Sequence, residues 1–220
     1  MLFSEWEPVY LEILSDMGYE RADDESSARL LKALTVNSDL VTEDVLESIG
    51  PVVTVFGAAD SLASSLEASE PEGTLISAGA ATSAVMSAGI LPDMLVTDLD
   101  GDVTSQIDAS RSGALTIVHA HGDNSDLIRE HIGSFTGPLI LTTQSVPDMV
   151  VRNFGGFTDG DRAVCIARHF GARRIDLMGF DFLQPSTKDG SDPEVKRRKL
   201  RWAERITVGM NPPGVELRFL

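Results

Sequence analysis

Apolar residues return at steps of three and four through Trp6, Val9, Tyr10, Ile13, Leu14 and Met17, the spacing of one helical face, until Gly18 interrupts the run. A second periodic stretch runs through Ala28, Leu30, Leu31 and Leu34. Residues 1–48 therefore read as helical. They hold no phosphate loop or ligand cluster, so the pattern predicts a helical appendage that caps or packs against the rest of the chain.

From Pro51 the pattern changes to short β-rich runs alternating with helical stretches. It predicts strands near 52–56, 74–77, 93–97, 114–119, 138–143, 174–178 and 215–219, with helices near 60–69, 80–88, 124–132, 160–170 and 194–209. Near-continuous apolar runs such as Pro138-Leu-Ile-Leu141 predict strands buried on both faces, hence a largely parallel sheet. The expected fold class is α/β, a doubly wound, Rossmann-like sheet over residues 49–220 preceded by the appendage at 1–48. Gln184 to Pro193 is rich in turn formers and reads as a mobile loop.

A length of 220 residues suits one sizeable domain. Charge changes the picture more: 34 acidic against 18 basic residues give a net charge of −16, which disfavours nonspecific contact with nucleic acid or anionic membranes. An anionic substrate must then be met locally, by a metal ion or a helix N-terminus. The lone Cys165, within Ala163-Val-Cys-Ile-Ala167, excludes an intramolecular disulfide and reads as a small core residue. The first residues lack an export pattern and no run approaches membrane-spanning length, so a cytoplasmic protein is expected.

In doubly wound sheets ligands gather beyond the carboxyl ends of the strands. Here those ends carry Phe56-Gly-Ala-Ala-Asp60, Ser77-Ala-Gly79, Thr97-Asp98, His119-Ala-His-Gly-Asp123, Thr142-Thr-Gln144 and Gly179-Phe-Asp181. The densest cluster is Asp98, Asp100 and Asp102, whose mutual repulsion a cation would relieve. A continued strand-like path would turn all three to one side, whereas a tight turn would scatter them. Magnesium commonly takes only one or two protein carboxylates, so not all three need be ligands.

Each remaining candidate has a structural reading beside its functional one. Gly57-Ala-Ala-Asp-Ser61 opens a helix, where its amides could receive phosphate oxygens, or it is a tight turn capped by Asp60 or Ser61. His119, His121 and Asp123 form a weak zinc pattern, and Asp123, Asn124 and Asp126 offer helix caps. Gly155 to Arg162 is another helix entrance, capped by Thr158 or Asp159 or else clasping a ligand; Asp181 is a cap or a substrate contact. In the basic segment from Val195 to Ile206, Lys199 falls on the same helical face as Val195, Trp202 and Ile206, so it either snorkels from the packed face to solvent or meets a phosphate. Lys196 is a second phosphate candidate, while Arg197 and Arg198 read as solvated.

These segments together resemble the archaeal MptE-like 6-hydroxymethyl-7,8-dihydropterin pyrophosphokinases, relatives of the thiamin pyrophosphokinase catalytic domain. The resemblance spans roughly residues 50–210 and rests on Val55-Phe-Gly-Ala-Ala-Asp-Ser-Leu62, Pro92 to Asp102, Val118-His-Ala-His-Gly-Asp-Asn124, Gly156-Phe-Thr-Asp-Gly-Asp-Arg-Ala163 and Met178-Gly-Phe-Asp-Phe182. It implies ATP as donor, a hydroxymethyl-dihydropterin as acceptor, AMP as product, and a place in folate- or methanopterin-type pterin biosynthesis. The resemblance implies magnesium (Mg2+) roles for Asp98 and Asp100; beside them Asp102 is a third metal candidate or a water-positioning group, and Asp123 and Lys199 join Asp98 and Asp100 in catalysis. Gly57, Asp60, Ser61, Gly79 and Lys196 fall to the nucleotide, and His121, Asn124, Thr143, Asp159 and Asp181 to the acceptor. A homodimer is compatible with this reading, and no nucleic-acid or membrane partner is expected.

Two departures stand out. His121 replaces a carboxylate of the thiamin enzymes, and Ala59 and Asp60 replace a glycine and a proline of the usual loop. The competing readings are thiamin pyrophosphokinase or another transferase on this scaffold, and a nucleotide-binding regulatory protein without catalysis.

Overall fold

The computed structural model describes residues 1–184 and 192–220. Most of the expected loop from Gln184 to Pro193 lies outside the described residues. Helices α1 (Phe3–Met17) and α2 (Arg21–Leu34) meet at Gly18, whose φ of 74° and N–H bond to the Leu14 carbonyl end the first helix. The chain continues through β1 (Val52–Phe56), α3 (Leu62–Ala68), β2 (Thr74–Ala78), α4 (Thr82–Ser87), β3 (Met94–Thr97), α5 (Val103–Arg111), β4 (Leu115–Ala120) and α6 (Ser125–His131). It closes with β5 (Leu139–Thr143), β6 (Val151–Arg152), α7 (Asp159–His169), β7 (Arg174–Met178), α8 (Pro193–Glu204) and β8 (Glu216–Phe219).

All eight strands form one parallel sheet in the order β6-β5-β4-β3-β2-β1-β7-β8, an α/β architecture as expected. Two elements escape the hydrophobic pattern. The buried face of α5 is Gln106, Ala109 and Ser110 rather than large apolar residues, and β6 is two residues long. From β1 the chain steps outward to β6, then returns through α7 to the other side of β1, so strand order reverses between β1 and β7.

Helix α7 is buried along Ala163, Val164, Cys165, Ile166 and Ala167 and packs across β1, β2 and β3. Burial pushes the Cys165 thiol up to about 12, so it stays protonated and inert. The two N-terminal helices, expected as an appendage, pack on the α/β body, α2 against β4 and β5 and α1 against α7 and α8. Leu31 of α2 shares a core with Leu95, Val118 and Ile128, while Trp6, Tyr10 and Ile13 of α1 pack against Cys165 and Ile206. Among the described residues no helix is long and apolar enough to cross a membrane.

Candidate active site

The carboxyl ends of β3, β4 and β5, the α1–α2 turn, the start of α7 and Lys199 from the middle of α8 enclose an acidic cleft of about 400 Å³. Beyond β3 the strand path does not continue. Leu99 adopts φ 69°, rare for a non-glycine, and is held there by its buried side chain and by its N–H bond to Thr97 Oγ1 at 2.8 Å. Buried Gln106 of α5 fixes this turn, accepting from Thr97 Oγ1 at 2.7 Å and donating to the Asp100 carbonyl at 2.6 Å.

The turn separates the three carboxylates. Asp98 and Asp100 line the cleft, whereas Asp102 caps α5, accepting from Ser105 Oγ at 2.7 Å and from Ser105 N at 3.4 Å. Asp102 thus stands outside the cleft lining, spending its carboxylate on a helix end.

Charge in the cleft is poorly balanced. Burial pushes the Asp98 carboxyl up, but His121, with Nε2 3.3 Å from Asp98 Oδ2, the Asp100 amide and the Lys199 charge together hold the group below the usual range. Asp159 goes the other way: burial, then the nearby charges of Asp98 and Asp100, raise its pKa well above the usual value. Gly79 makes room for it, because a Cβ there would lie 2.7 Å from Asp159 Oδ2 and 3.0 Å from Thr97 Oγ1.

Beneath the cleft lies a buried polar chain. Arg162, 1% exposed, donates from Nη2 to His119 Nε2 at 2.9 Å. Burial and then Arg162 press the His119 pKa well below 6.5, so the ring is neutral and its Nδ1–H faces Thr142 Oγ1 at 3.3 Å. Asn124 donates from Nδ2 to the carbonyls of Asp98 at 2.8 Å and His119 at 2.7 Å, tying two strand ends together instead of facing the cleft.

The α1–α2 turn and the first turn of α2 supply the residues that sequence reasoning missed: Tyr19, Glu20, Asp23 and Asp24 line the cleft. Asp24, 2% exposed, accepts from Gly122 N at 2.8 Å, Tyr10 Oη at 2.6 Å and Gln144 Nε2 at 2.9 Å. In the sequence, Asp23 and Asp24 look like ordinary acidic residues in a helix's first turn.

Of the other expected residues, His121, Asp123, Asp159 and Lys199 line this cleft. Thr143 is buried in β5, and its neighbour Gln144 reaches the cleft instead. Gly57 and Asp181 line a second cleft beside the first, while Asp60, Ser61 and Lys196 lie outside both linings.

Among the described residues no three His, Cys, Asp or Glu side chains form a ready metal cage. The hard oxygen pair of Asp98 and Asp100 nevertheless suits magnesium, which completes its shell with water and substrate phosphates. The repulsion already raising Asp159 shows that this edge has negative charge to spare.

A family model for 6-hydroxymethylpterin diphosphokinase MptE-like proteins matches residues 29–186. This chain belongs to the MptE-like family. Three curated relatives carry the name 6-hydroxymethyl-7,8-dihydropterin pyrophosphokinase. That of Pyrococcus furiosus is 40% identical, with 97% of this chain and 96% of the relative covered. That of Methanothermobacter thermautotrophicus is 41% identical over 91% of each chain, and that of Methanocaldococcus jannaschii is 31% identical over the full length of both. The MptE-like match begins inside α2, so only the end of that helix, with Leu31 in the core under β4 and β5, falls within the matched part.

The basic helix gives a sharp test of position against charge. Lys199 lines the cleft and stands 6.0 Å from the Phe157 ring centroid, whereas Arg197 pairs with Glu194 and Arg198 with Asp16 at the surface. Lys199→Ala is expected to lower kcat/KM at least about tenfold, the scale of one lost charge-assisted contact, with Arg197→Ala near wild type. Equal losses in Lys199→Ala, Arg197→Ala and Arg198→Ala, measured with folding checked by circular dichroism, would leave only diffuse electrostatics.

Proposed function

We propose that the protein transfers diphosphate from ATP to the hydroxymethyl group of 6-hydroxymethyl-7,8-dihydropterin, releasing AMP. The observation that carries this reading is the convergence of Asp98, Asp100 and Lys199 in one cleft at the strand ends of an MptE-like chain. The relatives' names supply the acceptor and the group transferred.

In this reaction the acceptor hydroxyl oxygen bonds to the β-phosphorus while the bond from that phosphorus to the oxygen bridging it to the α-phosphorus breaks. The bridging oxygen leaves on AMP, and the hydroxyl proton passes to water at the cleft mouth, where Asp123 stands exposed. Asp98 and Asp100 would hold magnesium, whose chemistry here is to neutralise charge on the transferred phosphates. Lys199 adds a cation to the same cleft, and the enclosing turns align the reacting groups.

Incubation with ATP, magnesium and reduced hydroxymethylpterin is expected to give AMP and the pterin diphosphate in equal amounts, and none after metal removal by a chelator. Stoichiometric ADP would identify an ordinary kinase. Undiminished turnover in excess chelator would remove the metal from the mechanism.

A further inference from the structure

The acidic cleft leaves part of the sheet's carboxyl edge unexplained. Where strand order reverses between β1 and β7, a second cleft of about 220 Å³ opens. At such a switch point the connections leave for opposite faces of the sheet and a crevice remains for ligand. Its base is backbone against backbone: Gly57 N–H bonds the Met178 carbonyl at 2.8 Å and Ala59 N–H the Gly179 carbonyl at 2.9 Å. A Cβ on Gly57 would lie 2.6 Å from the Gly179 oxygen and 2.9 Å from the Phe180 ring, so this position admits no side chain. Gly160 likewise leaves the Phe180 ring clear, since a Cβ there would lie 3.2 Å from it. Phe180 and Phe182 meet edge to face with centroids 6.0 Å apart.

We propose that this cleft holds the base of the nucleotide donor, a flat purine-type ring, and that the acidic cleft takes the acceptor. The inference rests on the diphosphotransferase reading. The two clefts share Thr158 and Asp159, so a nucleotide whose base sits in the second directs its phosphates toward Asp98, Asp100 and Lys199 in the first.

Hydrogen-bonding chemistry sorts the two rings. The amino-pyrimidinone edge of a pterin is rich in N–H donors and needs acceptors, and of the three carboxylates lining the second cleft, Asp159, Asp161 and Asp181, one is fully engaged and another partly. Asp161 there accepts from the Phe157 and Thr158 amides at 2.5 and 3.0 Å and from Thr158 Oγ1 at 2.7 Å. Asp181 Oδ1 accepts from Leu183 N at 2.8 Å and Gln184 N at 3.1 Å. The outer wall of the acidic cleft carries the exposed carboxylates of Glu20 and Asp23, held in place beside the engaged Asp24, and these repel a polyphosphate and suit a donor-rich ring. Aromatic rings and bare backbone give the second cleft the flat, largely apolar walls that bind a nucleobase.

Photolabelling of the native protein with 8-azido-ATP, followed by peptide mapping, tests the placement without any substitution. Label is expected within residues 57–61 or 179–184, and label confined to 18–24 or 121–124 overturns the proposal. In a second arm, Ala58→Trp at the exposed rim is expected to weaken calorimetric binding of ATP and AMP at least about tenfold, the scale of displacing one stacked ring. Hydroxymethylpterin should bind the nucleotide-free variant within about twofold of wild type. The reverse order, or no change for either ligand, overturns the proposal as well. Turnover separates this inference from the reaction it rests on. Label at 57–61 without pterin diphosphate formation sinks the acceptor and leaves the base slot standing; normal turnover with label only at 18–24 does the opposite.

Discussion

Asp98→Asn and Asp100→Asn are each expected to lower turnover at least about a hundredfold, the scale of losing one electrostatic stabiliser of the transition state, while the fold persists. Both side chains face the cleft, and neither is needed to end a helix or fill the core. Asp102→Asn provides the contrast, because its carboxylate serves Ser105 and stands outside the cleft. Asparagine also caps helices well, so that variant should retain near-normal rates. Saturating-substrate kinetics across a magnesium titration check all three. Near-normal rates for Asp98→Asn and Asp100→Asn would remove their metal assignment, and a collapse of Asp102→Asn would return that residue to the site.

Arg162→Met is expected to cost about 3 kcal/mol of stability, the range for removing one charge from a buried, hydrogen-bonded network. The guanidinium supplies His119 Nε2 with its donor, and its charge favours the ionised forms of Asp159 and Asp161. Burial raises both carboxyls above 3.8, so between that value and their folded values the native state binds protons that the unfolded chain has released. Stability must therefore fall as pH climbs through this window, and more steeply once Arg162 is gone. Urea unfolding at several pH values measures both effects. A loss below about 0.5 kcal/mol, the usual size of a surface substitution, would mean that the buried charge is idle.

Strand order along the chain and the edge that carries the site were legible because long apolar runs end in glycine and polar clusters. What escaped the sequence did so for identifiable reasons. Helix α5 buries Gln106 and Ser110, so no apolar stripe announced it. The alternation of Asp98, Asp100 and Asp102 promised a shared face, but Leu99 in the left-handed region turns the chain and hands Asp102 to a helix cap. Thr143 is the last residue of β5 and Gln144 the first beyond it, and only the strand's end and register decide which of the two reaches the cleft. The contribution of Tyr19, Asp23 and Asp24 was invisible because their partners lie far along the chain.

That distance shapes how the protein folds. Asp24 meets Gly122 across 98 positions and Gln144 across 120, so two of its three donors arrive only after β4 and β5 have formed and α2 has docked on them. Contacts of such long sequence separation carry a loop-closure entropy that slows their formation. The wall assigned to the acceptor is thus completed late, and a local detachment of α2 would erase it while the parallel sheet and the switch-point crevice persist. Such a partly opened molecule would hold a nucleotide and have nothing to give its phosphates to.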